Sequence, residues 1–258
     1  MKKYVVMAAV FLGITWQAAA QQEYRTEFPD RQNKVLALTI TNGEVTVKTH
    51  SEDNVLIRIK GERWNDPSTS ERAQGLQMIS AEGQDNTQVG LYEVKEGGVL
   101  SLTQLGRMDR EFEVFVPKSA SVRLIESGWY GSGDFKVEGV GGEVEIEAKN
   151  GDVMLREVTG PLVIDALNGD VDIIFSSVNQ SQPMSVNATN GAIDVTFPAA
   201  AKGEIHMRAL NGEVFTDLNL EVSNRDNGYG TNMTGKLNGG GVKIDLSALN
   251  GNIFLRKR

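Results

Sequence analysis

The sequence contains no cysteine and only two histidines. Without cysteine the chain can form no disulfide and has no thiolate ligands for a zinc site, so its core and its hydrogen bonds must hold the fold. The two histidines, His50 and His206, are distant in sequence, and neither adjoins a serine motif such as Gly-x-Ser-x-Gly. The sequence therefore offers no nucleophile–histidine–acid triad, and we assign no catalytic, cofactor-binding or metal-binding residue.

Positive charge is scarce as well. Lysine and arginine number 26 against 34 aspartates and glutamates, which gives a formal net charge of −8. An acidic surface disfavours binding to nucleic acid and to anionic lipid, because both are negatively charged. We therefore expect no nucleic-acid partner.

Long apolar runs are missing except at the N-terminus. Lys2 and Lys3 precede an apolar run over residues 4–16, which is too short to span a bilayer comfortably and is followed by three small residues at 18–20. This pattern is typical of a secretory signal peptide. We predict a signal peptide over residues 1–20, a single domain over residues 21–258 with no transmembrane anchor after cleavage, and a location in the periplasm or at the cell surface.

The dipeptide Asn-Gly occurs six times in one repeating frame. Apolar residues lie four and six positions before each Asn, and three and five positions after it in all but one case. The position two before the Asn is Ala in five copies and Ile40 in the first. Such alternation predicts strands with one face in a core, and Asn-Gly allows a sharp turn between them. The predicted turns are Asn42-Gly43, Asn150-Gly151, Asn168-Gly169, Asn190-Gly191, Asn211-Gly212 and Asn250-Gly251.

Two all-β architectures fit this repeat. Each Asn-Gly could be a hairpin turn in a hairpin-built β-sandwich. Alternatively, each could be a corner of a parallel β-helix, or β-solenoid, with coils of about 20 residues. The near-constant spacing and the recurring Ala favour the solenoid, since an inside corner leaves little room for a larger side chain. The last spacing, 39 residues from Asn211 to Asn250, is close to two coils, and the basic residues 256–258 are either protection of the open end or a solvated tail.

The repeats resemble those of a known bacterial family. Together with the segments at Asp85–Leu91 and Leu237–Leu255, they are similar to the adhesin-like β-strand repeat proteins labelled auto-transporter adhesin or "head GIN", a domain of unknown function. The resemblance implies a β-helical protein of the cell envelope and implies no reaction.

Three aromatic residues in glycine-rich segments are the candidates for partner contact. Trp129 and Tyr130 lie in a loop with three nearby glycines, and Tyr229 lies between two more. Exposed aromatic residues of this kind often stack on sugars or on partner chains, although one of them could instead cap the core. We expect a protein or a glycan as the partner.

Stacked units would also align carboxylates into columns. Asp152 would lie beside Asp170, and Asp172 beside Asp194. Calcium could bridge such columns, but a solvated acidic face is the simpler interpretation, and no cofactor is assigned. We predict an exported cell-envelope protein that acts by surface contact, as an adhesin, a scaffold or an interaction module. The alternatives are a calcium-dependent polysaccharide-active enzyme, with Lys149, Arg156 or Arg208 as its base, and an accessory of envelope stress signalling.

Overall fold

The computed structural model of the protein describes residues 22–60, 67–129, 131, 133–226 and 230–258. The predicted signal peptide lies outside the described residues. These residues form twenty-three strands and one helix, α1, over Pro67–Arg72. In chain order the strands are β1 Gln22–Thr26, β2 Val35–Ile40, β3 Val45–His50, β4 Val55–Lys60, β5 Ile79–Ser80, β6 Gly83–Gln84, β7 Leu91–Glu96, β8 Val99–Gln104, β9 Glu111–Pro117, β10 Ser121–Glu126, β11 Phe135–Glu138, β12 Val144–Asn150, β13 Val153–Val158, β14 Leu162–Asn168, β15 Val171–Phe175, β16 Met184–Asn190, β17 Ile193–Phe197, β18 Gly203–Ala209, β19 Val214–Thr216, β20 Leu220–Asp226, β21 Thr231–Leu237, β22 Lys243–Asn250 and β23 Ile253–Lys257.

Two large sheets contain nearly all of these strands, so the predicted all-β class is confirmed. Sheet I has the spatial order β1, β4, β9, β3, β11, β13, β15, β17, β23, β19. Sheet II has the order β20, β21, β18, β22, β16, β14, β12, β10, β2, β8, β7, and β5 pairs only with β6. Pairing is parallel through the middle of both sheets and antiparallel at both ends of sheet II and at the β1 end of sheet I, whereas the β19 end of sheet I is parallel.

The core lies between the inner faces of the two sheets. In β14, Leu162 and Ile164 are fully buried, while Val163 and Asp165, which alternate with them, face outward. The alternation seen in the sequence is therefore the alternation of inner and outer faces. Within the described residues, no helix has the length and apolar character needed to cross a bilayer.

The Asn-Gly dipeptides connect strands that belong to different sheets. Asn150 ends β12 of sheet II, and β13 of sheet I begins three residues later. Strands on either side of such a corner do not pair with each other, as a hairpin would require. Instead, each strand pairs in parallel with the same strand of the next unit, with Asn150 opposite Asn168 and Val153 opposite Val171. The hairpin alternative was therefore wrong.

The glycine of each corner is required by close stacking of the backbones. A Cβ atom on Gly169 would lie 2.1 Å from the carbonyl oxygen of Gly151, and one on Gly191 would lie 1.9 Å from that of Gly169. Gly169 also has a positive φ of 141°, whereas the φ of Gly191 is outside the left-handed region. Lack of space, more than turn conformation, therefore explains why the glycine recurs at every corner.

The alanine two positions before each Asn forms a column along the inner face of sheet II. Its members are opposite one another in the strand pairing and are at most 4% exposed. The prediction that these residues lie stacked on the inside of the corner is confirmed. In spatial order they are Ala148, Ala166, Ala188, Ala248 and Ala209.

The repeat units, each a strand of sheet II followed by a strand of sheet I, do not stack in chain order. The last unit, β22 and β23, lies between β16/β17 and β18/β19. An early unit, β2 and β3, likewise lies between β8/β9 and β10/β11. In both places the chain skips a level of the stack and fills it with a segment that is distant in sequence.

This order corrects two expectations about the C-terminus. The 39 residues between the last two corners are not two coils, because they include the antiparallel pair β20 and β21. The basic tail does not protect an open edge either, because β23 is an interior strand with neighbours on both sides. Its arginines pair with acidic residues of earlier units, Arg256 with Asp194 and Arg258 with Glu157.

Candidate functional site

The corner asparagines form a continuous hydrogen-bonded ladder along one edge of the molecule. After the first asparagine, each side-chain Nδ2 donates to the Oδ1 of the asparagine in the neighbouring unit, at distances of 2.8–3.1 Å. Amide ladders of this kind stabilise stacked parallel strands, because each side chain is both a donor and an acceptor. We call these residues the asparagine ladder: Asn150, Asn168, Asn190, Asn250 and Asn211.

The aspartates two positions after the corner also have a structural role. The Oδ1 of Asp134 accepts the backbone N–H of Asp152 at 3.0 Å, and that of Asp152 accepts the N–H of Asp170 at 2.8 Å. Asp170 in turn accepts the N–H of Ala192 at 2.7 Å. Each carboxylate therefore joins one unit to the next.

The second acidic column is neutralised by arginines. Asp172 and Asp194 lie opposite each other in β15 and β17, as the repeat predicts. Arg156 Nη2 is 2.6 Å from Asp172 Oδ2, and Arg256 binds Asp194 with Nε and Nη2 at 2.9 and 2.8 Å. A cavity of about 290 Å³ lies over these residues. Since the chain itself supplies both hydrogen-bond donors and counter-charges, the columns do not need calcium to hold them together.

Among the described residues, the indole of Trp129 is the aromatic side chain most open to solvent at the corner. It is 71% exposed. The backbone carbonyl oxygen of Trp129 accepts a hydrogen bond from Nδ2 of Asn150 at 3.2 Å, which places this residue at the first rung of the asparagine ladder. The Nζ of Lys149 lies 4.7 Å from the ring centroid and donates to the carbonyl of Ser127 at 2.8 Å. The ring is thus held beside a cation while one face stays accessible.

The loop that carries Trp129 is anchored at its base. The backbone N–H and hydroxyl of Ser127 both contact the carbonyl oxygen of Ile40, at 2.7 and 3.0 Å. Gly128 and Gly131 pass so close to Thr41 that a Cβ on either would lie within 2.5 Å of its carbonyl oxygen. The glycine-rich sequence therefore lets the loop leave the stack tightly and present the indole outward.

The other two aromatic candidates, Tyr130 and Tyr229, lie outside the described residues. Their role in partner contact stays a prediction. The three candidate bases are not brought together: Arg156 is on sheet I, Arg208 is on sheet II, and Lys149 is at the corner.

Two buried polar residues were missed by the sequence reasoning. Glu126 is 2% exposed, and its Oε2 accepts the backbone N–H groups of Lys149 and Asn150 at 2.6 and 2.8 Å. Its Oε1 is buried and has no hydrogen-bond partner in the part of the chain that the structure describes. Burial raises the pKa of the Glu126 carboxyl, although the two N–H donors act in the opposite direction.

Gln104 likewise accepts two backbone N–H groups, at the corner that follows β2. It is fully buried, and its Oε1 accepts the N–H groups of Thr41 and Asn42 at 2.7 and 3.2 Å. The signal for both residues was available in the alternation. Each occupies the inward position after two buried apolar residues of its strand, where the regular units have alanine.

The histidines are engaged in structural contacts. His206 lies on the outer face of β18 between Asp245, whose Oδ1 is 3.2 Å from Nδ1, and Asn232, whose Oδ1 is 3.0 Å from Nε2. Both ring nitrogens therefore already have partners, and neither partner is a hydroxyl. His50 Nε2 contacts the carbonyl oxygen of Asn54 at 2.8 Å.

Comparison with known proteins gives a family match over part of the chain. The model of a family described as Toastrack DUF4097 matches residues 131–256, just under half of the sequence. The matched family is thus not the "head GIN" type that the repeats resemble, which corrects that assignment. No curated protein matches the chain. A crystal structure described as that of a putative cell adhesion protein from Clostridium sporogenes ATCC 15579 is similar at 13% identity and a TM-score of 0.49, with 93% of this chain and 100% of that chain covered.

Proposed function

We propose that the protein is a non-catalytic contact module of the cell envelope, built as a β-solenoid with coils of about 20 residues, and that it binds glycan along the asparagine ladder. The observation that carries the proposal is the exposed indole of Trp129, whose backbone carbonyl oxygen is bound by Asn150 at the first rung of the ladder. Exposed aromatic rings with an accessible face stack on the apolar faces of sugar rings, and nearby polar groups bind the hydroxyls.

The ladder supplies those polar groups at regular intervals. An amide side chain has two N–H donors and two acceptor lone pairs, and the ladder uses one of each in Asn190. Among the described residues the second donor and acceptor of Asn190 have no partner and can bind a ligand, whereas Asn168 also donates to the carbonyl oxygen of Lys149. The rungs repeat about every 4.8 Å. A polymer lying along the corner could therefore contact several rungs, so that weak contacts add up.

The state of the reactive side chains supports a role without catalysis. The aspartates of both columns are bound to backbone N–H groups or to arginines, and His206 is held on both ring nitrogens. General acid–base catalysis needs a group that can reach the substrate with the right protonation state. We expect no loss of polymer length when glycans are incubated with the protein.

The direct test is binding to a panel of polysaccharides by wild type, Trp129→Ala and a matched control, Leu76→Ala. Leu76 is similarly exposed, at 69%, and lies far from the ladder in sequence. We expect Trp129→Ala to weaken binding by about tenfold or more, which corresponds to about 1.4 kcal/mol, and Leu76→Ala to bind like wild type. Equal binding by all three proteins, or no binding to any polysaccharide, would contradict the proposal.

The calcium-dependent alternative has its own measurement. An ion that binds only the folded protein raises the melting temperature of the protein. We expect the same melting temperature in EDTA and in excess calcium, since the acidic columns are already compensated by the chain. A large calcium-dependent rise would restore the enzyme hypothesis and call for a screen of polysaccharide cleavage.

Export is part of the proposal and is supported by the pattern of residues 1–20. Cell fractionation and N-terminal sequencing of the mature protein test it. The expected product begins at Gln21 and is absent from the cytoplasmic fraction. An uncleaved cytoplasmic protein would exclude the envelope role while leaving glycan binding open to the test above.

A further inference from the structure

The two sheets end at different levels at one end of the stack. The outermost unit there is β18 of sheet II with β19 of sheet I. Sheet II continues past this unit by two strands, β21 and β20, whereas β19 is the last described strand of sheet I. Sheet II therefore overhangs sheet I by two strands, and the end of the molecule has the profile of a step.

The overhang leaves part of an inner face uncovered. Ile205, Gly235 and Val222 lie side by side across β18, β21 and β20, so Val222 points to the same side as the core residue Ile205. Ile205 is fully buried, but Val222 is 37% exposed. Leu220 and Met233 on the same two strands are only partly buried. Apolar side chains thus line the underside of the step.

The edge of sheet I below the step is also open. Strand β19 has three residues, and Phe215 at its centre is 50% exposed and stacks on Phe254 of β23. The backbone groups of Glu213 and Asp217 bond to β23, so those of Val214 and Thr216 point away from it because bonding alternates along a strand. Unpaired strand edges with apolar side chains are sites for strand addition.

The opposite end of the stack is closed. There the edge strands are β1 of sheet I and β7 of sheet II, and the hydroxyl of Tyr24 in β1 donates to Glu93 in β7 at 2.9 Å across the end. The inward residues next to it, Leu91 and Ile57, are fully buried. The chain therefore caps one end of its core and leaves the other open.

We propose that the open end binds a second copy of the chain, with β19 of each copy pairing with β20 of the other. A two-fold axis parallel to the strands exchanges the two sheets, so the overhang of one copy fills the two missing levels of the other. The strand directions agree with this arrangement. Strand β20 runs in the direction of β18, because both are antiparallel to β21, and β19 runs back from β18 after the corner. The new pairing is therefore antiparallel, which needs no crossover connection.

Other ways of joining two copies leave the step unfilled. Pairing β19 with β19 of the second copy would bring the two overhangs into collision, and pairing β20 with β20 would leave four levels of sheet I empty. The exchanged arrangement covers the inward Val222 in both copies and places the outward Phe215 beside β20 of the second copy. It is also isologous, so it closes at a dimer and does not propagate into a filament.

Sedimentation of the purified protein over a wide range of concentration tests this inference. We expect a reversible dimer for wild type and for the control Leu76→Glu, which places the same charge on an exposed residue between β4 and β7. We expect Val222→Glu to be a folded monomer, because the dimer would bury the new charge whereas the single copy leaves Val222 exposed; circular dichroism can confirm that the variant is folded. A wild type that is monomeric at every concentration, or a Val222→Glu variant that still dimerises, would overturn the inference. The test is independent of the glycan assay.

Discussion

Glu126 and Gln104 flank Ile40 from the two strands beside it, and each uses one side-chain oxygen to accept two backbone N–H groups of a neighbouring corner. At both levels the strand of sheet II is followed by a loop that leaves the stack, so the backbone acceptors of a regular unit are missing. One position is filled by a neutral amide and the other by a carboxylate. The two residues do the same structural work, but only Glu126 can titrate.

The carboxyl of Glu126 makes stability depend on pH. Burial raises its pKa in the folded protein above the ordinary value. A group with a raised folded-state pKa contributes stability that is fully present below the unfolded pKa and is lost as pH rises through the folded pKa. We expect the free energy of unfolding of the wild type to fall as pH rises from the ordinary carboxyl pKa through the raised pKa of Glu126. In Glu126→Gln it should fall less. Urea unfolding at several pH values measures it, with Glu147→Gln, an outward carboxylate on the next strand, as the control. Parallel pH profiles for wild type and Glu126→Gln would show that this carboxyl is not responsible.

The inner face of β14 provides a test of the core. Ile164 is fully buried, and Val163 beside it faces outward. We expect Ile164→Asp to cost more than about 4 kcal/mol, because it buries a charge without a partner. Val163→Asp should melt close to wild type. A similar loss for both variants, or near-native melting of Ile164→Asp, would show that the two faces of the strand are wrongly assigned.

The alanine column tests how tightly the inside of the corner is packed. Ala166 lies between Ala148 and Ala188 and is 4% exposed. We expect Ala166→Leu to cost about 1–3 kcal/mol by overpacking, while the same change at the exposed Ala200 has little effect. Thermal or urea unfolding measures the difference. Equal stability of the two variants would remove the argument that the corner has no room for a larger side chain.

The corner glycines separate crowding from backbone conformation. Gly239 has a φ of 82° with open space around its Cβ position. Gly191 lacks a left-handed φ, but a Cβ atom there would lie 1.9 Å from the carbonyl oxygen of Gly169. We expect Gly239→Ala to cost about 1–2 kcal/mol, the strain of a left-handed alanine. Gly191→Ala should cost clearly more, because two stacked backbones must separate. The reverse order in urea unfolding would mean that turn conformation dominates at the corners.

The regular part of the fold was predictable because its information is local. The frame around Asn150 and Asn168 specifies alternation, corner and alanine column within about a dozen residues, and all three are present. The order of the units was not predictable, since β22/β23 and β18/β19 have similar sequences and nothing in either states which level it occupies. The chain's departures from the repeat, including β20 and β21, depend on contacts between distant segments for the same reason.

The site was predictable only in part. A glycine-rich loop with Trp129 indicated exposure, and the structure places that indole at the corner. The roles of Glu126 and Gln104 depend on which corner lacks backbone acceptors, which becomes visible only when the units are stacked. The pairing of Asp194 with Arg256 joins residues 62 positions apart, so their separate acidic and basic runs were misread as an acidic face and a loose tail.

The interior position of β23 has a consequence for how the molecule is made. During synthesis the N-terminal part emerges first, and β18 and β19 are available before β22 and β23 exist. Until β22 and β23 are made, β18 can pair only with β21 and β19 has no neighbour among the described strands, because β22 and β23 supply the level that joins this end to β16 and β17. A ribosome that stalls or a protease that clips near the C-terminus would therefore not shorten the stack by one unit; it would disconnect everything beyond the missing level. The stack of strands is therefore continuous only after β22 and β23 have been made.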